Sequence, residues 1–176
     1  MEWVDRLVTV TGWNAESVEF DWSDTESALG TPLPTDFKEL RTRFAAWGAF
    51  SDHVLVLEAQ GESESVQTAH ASLLRSVREN PDNQRIFEPF GLLGANGEGK
   101  GLVQWGYSFI EEEYYWLADT SQDPATWPVV ARVDPLEAFQ RFDMTASEFV
   151  YRVLMEADFS VFNVAATIET PYYRAY

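Results

Sequence analysis

The sequence of 176 residues contains no cysteine, which excludes disulfide scaffolds, cysteine-ligated metals and thiol nucleophiles. Histidine is almost as rare, because only His53 and His70 are present and neither lies in an HxxxH or HxxE pattern. We therefore expect both to be surface or structural residues. The chain also lacks a GxSxG-type nucleophile elbow and a loop with calcium-ligand spacing. These absences predict a protein that is not an enzyme and that holds neither a cofactor nor a metal.

Long apolar runs are missing as well. No stretch approaches the roughly 18 consecutive apolar residues that indicate a membrane helix. The first ten residues, MEWVDRLVTV, have neither the basic start nor the apolar centre of a signal peptide. We therefore expect a cytoplasmic protein that does not associate with membranes.

Basic residues are few, since 12 Lys and Arg stand against 29 Asp and Glu, giving a formal net charge of −17. Such a field repels nucleic acids and anionic lipids, attracts basic proteins and accelerates their encounter. A simpler interpretation is that the charge only keeps the protein in solution. The hydrophobic fraction of 45% excludes a disordered tail, and the length favours a single domain over residues 1–176.

The block from Leu102 to Val133 organises the chain. It contains three short runs rich in Val, Tyr, Trp and Phe, separated by acidic or turn-forming segments, which predicts an antiparallel meander. Alternate residues of a strand share a face. On this basis the predicted inner face consists of Trp105, Tyr107, Tyr115, Leu117, Val129 and Ala131. Ahead of the meander, the Asn96-Gly97 pair predicts a hairpin between Leu92–Leu93 and the 102–109 run.

Helical spacing indicates helices at residues 2–11, 22–29 and 65–79, one from Pro34 to Gly48, and one after Thr145. Thr145 and Glu148 have the spacing of a capping box. A short strand is predicted at residues 53–58, and the apolar tail at residues 161–176 is expected to add an edge strand or to lie over the core. Helices early, strands in the middle and a helix near the end together predict an α+β fold.

Several pieces of sequence occur in an order that matches a known family. They are Leu33-Pro34-Thr35-Asp36-Phe37-Lys38, Trp105-Gly106, Tyr115-Trp116-Leu117, Trp127-Pro128-Val129-Val130 and Ser147-Glu148-Phe149-Val150. From about Glu16 to about Leu154, the chain resembles the SUKH superfamily, the domain shared by bacterial toxin-immunity proteins and a fungal regulator of cell-wall assembly.

The resemblance implies a mostly antiparallel mixed sheet of about five to six strands, with helices packed mainly on one side. It also implies a domain core at about 16–156, with residues 157–176 as an extension packed on it. Members typically bind and neutralise a toxin, often a nuclease, and do not catalyse a reaction. An acidic face suits that role because nuclease toxins tend to be basic around their phosphate-binding cleft. The alternative is a non-enzymatic intracellular scaffold or regulatory module of the same fold. We expect a monomer or weak dimer.

Acidic residues form three clusters, each of which is either a partner-binding surface or a solvated loop. Two of them comprise Glu16, Glu19, Asp21, Asp24 and Glu26, and Glu58, Glu62 and Glu64. We favour the third, from Glu111 to Asp123, because Tyr114 and Trp116 alternate there with inward residues, and exposed aromatics beside acids suit a Lys- or Arg-rich partner. The alternative for Trp116 is a second sheet face that helices cover. The predicted partner-binding residues are Glu111, Glu112, Glu113, Tyr114, Trp116, Asp119 and Asp123.

Two chemical alternatives remain for the acidic residues. Paired carboxylates can carry out acid–base hydrolysis, although acid pairs arise by chance in so acidic a chain. Glu111 to Glu113 could also bind a divalent cation weakly.

Overall fold

The three apolar runs of the central block form neighbouring strands of one antiparallel sheet. The structure, a computed structural model, describes residues 2–59, 61, 64–159 and 161–176. In these residues the sheet has seven strands, in the order β6-β5-β4-β3-β2-β1-β7, and every ladder between them is antiparallel. The strands are β1 Gly48–Phe50, β2 Val54–Val56, β3 Lys100–Ser108, β4 Glu113–Asp119, β5 Val129–Arg132, β6 Gln140–Phe142 and β7 Tyr173–Ala175.

The helices lie close to their predicted positions. They are α1 Glu2–Thr11, α2 Ser23–Leu29, α3 Thr35–Arg43, α4 Val66–Glu79 and α5 Ala146–Met155, with 3-10 turns at Pro81–Phe87 and Pro124–Thr126. The α+β prediction is therefore confirmed, with seven strands in place of five or six.

Local sequence signals set the helix ends. The Ser65 and Thr68 side chains form a capping box at the start of α4. At the start of α5 the Thr145 hydroxyl accepts a hydrogen bond from the Glu148 backbone N–H at 3.3 Å, which is the Thr145 half of the predicted capping box, whereas the Glu148 carboxylate accepts from Arg152. Gly30 ends α2 in the left-handed conformation, with φ of 71°, which glycine adopts without a steric cost.

Apolar side chains form a larger cluster on one face of the sheet and a smaller cluster on the other. On the first face, α1, α2, α3 and α5 cover an aromatic core that includes Trp105, Phe149 and Phe37. On the second face, the later part of α4 and the Pro81–Phe87 turn cover Leu102, Tyr115 and Val130. The helices therefore lie mainly on one side, and both faces of the central strands are buried.

The predicted inner face is correct for β3 and β5 and wrong for β4. Tyr115 and Leu117 face the smaller cluster, whereas Tyr114 and Trp116 belong to the main core. Trp116 pairs directly with Val129 of β5, and directly paired residues point to the same face of a sheet. The predicted inner residues that do contact the main core are Trp105, Tyr107, Val129 and Ala131.

The end of α3 and the pairing of Leu92 differ from the prediction. The backbone leaves helical geometry at Phe44, so α3 ends before Gly48, which instead begins β1. A Cβ on Gly48 would overlap the carbonyl of Arg174 in β7, so this glycine permits close approach of the two strands. The predicted Leu92 hairpin arm is also wrong, because Leu92 and Leu102 form an isolated parallel bridge.

The C-terminal tail both adds an edge strand to the sheet and packs into the core. Residues Tyr173–Ala175 add β7 to the outer side of β1, and Phe162 is fully buried in the main core. Tyr173 also packs edge-on against Phe44 and Phe50. The tail is therefore anchored to the sheet by side chains as well as by backbone hydrogen bonds.

Candidate functional site

Two turns meet at one end of the sheet, and we call them together the hairpin tip: Ser51–His53 between β1 and β2, and Phe109–Glu112 between β3 and β4. Ser51, Asp52 and Glu111 have φ values of 51°, 52° and 70°. Among the described residues, these are the non-glycine positions with positive φ. Such conformations cost free energy and cluster at functional sites, so the hairpin tip is a candidate site on backbone grounds alone.

A hydrogen-bonded network around Glu112 joins the two turns. The His53 Nε2 atom lies 2.7 Å from Glu112 Oε2, and the Tyr114 hydroxyl donates to the same oxygen at 2.5 Å. The Glu112 backbone N–H donates to Ser108 Oγ at 3.2 Å. Burial and then the charge of Glu112 raise the pKa of Tyr114 well above its usual value, so its hydroxyl remains a donor at neutral pH. The network fixes the position of a carboxylate whose residue is only 3% exposed.

The next carboxylate in sequence is already paired. Glu113 accepts from the Arg132 guanidinium at 2.5 Å, and Arg132 also donates to the carbonyls of Ile86 and Pro135. Arg132 is almost completely buried, so these bonds satisfy a charge that could not otherwise remain away from water. This pair ties β4 to β5 and to the loop that follows β5.

An open groove of about 360 Å³ lies beside the hairpin tip. All three consecutive glutamates line it, together with apolar surface from Phe109 and Pro135. Its lining residues are Gln104, Tyr107, Ser108, Phe109, Glu111, Glu112, Glu113 and Pro135. The predicted acidic block therefore does contribute three neighbouring residues to the lining of one concave surface.

Exposed apolar side chains stand next to these acids. Phe109 is 55% exposed and Ile110 is 64% exposed. The Tyr176 ring packs edge-on against Phe109, with 6.2 Å between the ring centroids, and at a tilt against Trp47, with 4.9 Å between them. In the other turn of the hairpin tip, Asp52 accepts from the Tyr172 hydroxyl at 2.8 Å. The hairpin tip thus presents apolar and acidic groups on a surface that the tail supports.

The seven predicted partner-binding residues are not all on one surface. The exposure predicted for Tyr114 and Trp116 is wrong, since they are 0% and 1% exposed, and the alternative of a helix-covered face is correct for Trp116. Glu112 and Asp119 are also buried, and Glu113 is half-buried. The predicted members that remain exposed are Glu111 and Asp123.

Asp119 and Asp123 organise the loop between β4 and β5, at the end of β4 away from the hairpin tip. Asp119 accepts from Lys100 Nζ at 2.8 Å and from the backbone and side chain of Ser121. These bonds lower the pKa of Asp119 to about 2. Asp123 accepts from the Ala125 backbone N–H and caps a 3-10 turn. Both are loop-forming acids and do not belong to the groove.

The other two acidic clusters are more dispersed. Glu16, Glu19 and Asp21 are exposed in the segment before α2, and Asp24 is exposed in its first turn, while Glu26 is half-buried and pairs with Lys38. In the cluster of Glu58, Glu62 and Glu64, Glu64 accepts from the Tyr107 hydroxyl at 2.8 Å, Glu58 is half-buried, and Glu62 lies outside the described residues.

Sequence reasoning missed His53, Phe109 and Ile110. The available signal was an apolar pair between the end of a strand and a run of three glutamates, because a turn normally exposes such side chains. His53 gave no local signal, since its partner Glu112 lies 59 positions away. His70 is structural, as expected, because it is buried and bonded to the Leu93 carbonyl.

Within the described ranges, no three metal-ligating side chains converge on one point, and no helix has the length and apolar content that crossing a bilayer requires. Comparisons with protein-family models, with curated proteins and with solved structures found no match for this chain. The resemblance to the SUKH superfamily therefore stays a prediction.

Proposed function

We propose that the protein is an immunity-type protein that binds and neutralises a basic toxin, with the hairpin tip as its contact surface. The observation that carries this proposal is the exposure of Phe109 and Ile110 on the same turn as Glu111, whose φ is positive. An apolar pair held in a constrained turn and bordered by acids has the composition of a protein-binding hot spot.

The charge of the molecule supports a basic partner. A net charge of −17 speeds the encounter with a cationic surface and disfavours phosphate-bearing ligands. In a nuclease, the cationic surface would be its phosphate-binding cleft, so an acidic groove covering it would compete with the substrate. The resemblance to toxin-immunity proteins leads to the same class of partner.

The bonding of the groove's acids favours binding over catalysis. Glu113 is neutralised by Arg132, and one oxygen of Glu112 is occupied by His53 and Tyr114. General acid–base work by two carboxylates requires both to exchange protons with a substrate. Here the protein itself bonds to one oxygen of each carboxylate and holds both side chains in place, which suits a preformed docking surface.

The test starts from a tagged protein recovered from its own lysate, followed by binding kinetics with the purified partner. We expect a basic partner, an association rate that falls steeply with salt, and a loss of at least about fivefold in affinity for Phe109→Ala, which corresponds to about 1 kcal/mol. Matched controls are Val161→Ala, an exposed apolar residue elsewhere, and Glu16→Gln. If Phe109→Ala and Glu111→Gln bind as tightly as these controls, the hairpin tip is not the interface.

A regulatory or scaffold module of the same fold is the second candidate. The exposed apolar residues Val161 and Tyr176 in the tail favour it, because they offer an apolar surface with little dependence on charge. This candidate predicts that Val161→Asp abolishes binding and that salt has little effect on the association rate. The immunity proposal predicts the opposite for both measurements.

A further inference from the structure

A second pair of exposed apolar side chains lies at the same end of the sheet as the hairpin tip. Leu136 is 93% exposed, Ile86 is exposed as well, and we call these two residues the flanking patch. Together with Phe109, Ile110 and Tyr176, which packs on Phe109, they are five of the eight large apolar side chains that are exposed among the described residues. Exposed apolar residues normally stand singly, so this concentration indicates an interaction surface.

The buried Arg132 side chain brings the flanking patch to the groove. Its Nη1 atom donates to the carbonyl of Ile86 at 2.7 Å and to the carbonyl of Pro135 at 2.9 Å, so the two backbone segments meet at one guanidinium. Pro135 also lines the groove, together with Phe109 of the hairpin tip. The flanking patch and the hairpin tip therefore adjoin the same groove.

Local contacts order the backbone under both residues of the flanking patch. The Leu136 backbone N–H donates to the Asp134 carboxylate at 2.8 Å. Ile86 lies in a 3-10 turn directly before Phe87, which is buried in the smaller core cluster. Because the backbone is ordered before a partner arrives, less conformational entropy is lost on binding.

Acidic residues border these apolar side chains. Leu136 lies between Asp134 and Glu137, and Ile110 is followed by the exposed Glu111. A surface with an apolar centre and an acidic rim is complementary to an apolar segment that is bordered by lysine or arginine.

The arginines of this region do not oppose such a partner. Arg132 is buried and bonded to Glu113, and Arg85 lies 3.8 Å from Asp82 in an ion pair. A second copy of this chain is a poor occupant, because it carries the same net charge of −17. The same charge disfavours an anionic lipid surface.

We infer that the groove and the flanking patch together receive one cationic amphipathic segment of the partner, a stretch whose apolar side chains are bordered by lysines and arginines. This inference rests on the proposed function and adds a second contact area and the chemistry of the segment. The apolar contacts of Leu136 and Ile86 contribute affinity. The acids at the rim mainly accelerate association, since exposed ion pairs contribute little to affinity.

The isoleucines of the chain provide a direct readout. There are three, Ile86, Ile110 and Ile168. Ile86 and Ile110 belong to the inferred contact surface, whereas Ile168 packs against the main core. Labelling the isoleucine δ1 methyl groups of the full-length protein with ¹³C therefore gives two reporter resonances and one internal reference.

The probe is a short acetylated and amidated peptide of leucine and lysine, with the leucines on one face at helical spacing. Two matched peptides replace its lysines by glutamate or its leucines by serine. We expect the leucine–lysine peptide to shift the Ile86 and Ile110 resonances saturably and to leave Ile168 unchanged. The leucine–glutamate peptide should cause no shift because the acidic rim repels it, and the serine–lysine peptide should bind at least about tenfold more weakly because it lacks the apolar contacts.

One variant tests the flanking patch. Leu136→Ala should weaken binding of the leucine–lysine peptide about fivefold or more, and its fold is not at risk because the side chain is exposed. The matched control is Val18→Ala, since Val18 is also exposed and stands between Glu16 and Glu19. The control should change the affinity less than about twofold. The unfolding midpoint of each variant reports whether the fold is intact.

Three results would overturn the inference: no saturable shift of Ile86 with the leucine–lysine peptide, equal binding of either matched peptide, or equal losses for Leu136→Ala and Val18→Ala. Failure of the proposed function alone would look different, because the peptide would still shift both resonances while the purified partner bound Phe109→Ala as tightly as the wild type. If only the inference fails, the partner loses affinity with Phe109→Ala, whereas Leu136→Ala has no effect and the peptide leaves Ile86 unshifted.

Discussion

The sequence suggested that Trp116 is an exposed binding residue, whereas the structure places it in the core. Truncating its side chain distinguishes these two assignments. The ring is 1% exposed and contacts Phe37 edge-on at 4.8 Å, with Trp105 and Trp127 at 6.2 and 6.5 Å. Replacing it by alanine removes these contacts and leaves a cavity beneath α3. We expect Trp116→Ala to lower the free energy of unfolding by about 3–5 kcal/mol.

Urea denaturation followed by circular dichroism measures this loss, with the m-value unchanged if the transition stays two-state. For a chain of this length, the expected loss corresponds to a fall in Tm of about 6–20 °C. Trp116→Phe keeps most of the volume and provides a measurable intermediate if the alanine variant does not fold. The control is Phe109→Ala, which should change stability by less than about 0.5 kcal/mol because the ring is exposed.

A loss below about 1 kcal/mol for Trp116→Ala, in a protein that remains folded, would refute the assignment of this β4 face to the core. A large loss for Phe109→Ala would equally refute the view that the hairpin tip is an exposed surface.

Three further outcomes follow from local contacts. Burial and the charge of Glu112 raise the pKa of Tyr114, so the folded state keeps a proton that the unfolded chain loses near pH 10. The free energy of unfolding should therefore fall as the pH rises above about 10, and Tyr114→Phe should reduce that fall in urea titrations at pH 8–11. Lys100 and Ser121 lower the pKa of Asp119 to about 2, so the ionised carboxylate stabilises the fold above about pH 4, and this stabilisation is lost as the pH falls towards 2. The Tm of Asp119→Asn should therefore lie below that of the wild type at pH 5 and approach it at pH 2. Thr145→Ala removes the cap of α5 and should cost about 1 kcal/mol in the same denaturation assay, whereas Thr9→Ala, on an exposed position of α1, should cost less.

The fold class followed from the sequence because its signals were local. The Thr145 cap of α5, Gly30 after α2 and the spacing of apolar residues placed the helices to within a few residues. The phase of β4 did not follow, because the run YYWLA is apolar at every position and both of its faces are buried. Alternation carries no information in such a strand, and only pairing with Val129 decides which side each ring faces.

The candidate site was predicted in part, for a related reason. The run of glutamates at residues 111–113 was visible in the sequence, and all three do line one groove. Which of them is free was not visible, since Arg132 and His53 reach them from β5 and from the β1–β2 turn. Long-range pairing of this kind leaves no periodic trace in a single sequence.

The two outermost strands of the sheet, β6 and β7, are each only three residues long. An edge strand of that length offers a neighbouring chain about 10 Å of unpaired backbone, which is too short for a stable added strand. Each also carries an exposed arginine, Arg141 and Arg174, which pair with Asp143 and with Asp52 respectively, and charged side chains on an edge strand disfavour pairing with another chain. A sheet as rich in Trp, Tyr and Val as this one can therefore stay free of fibrous self-association at high protein concentrations.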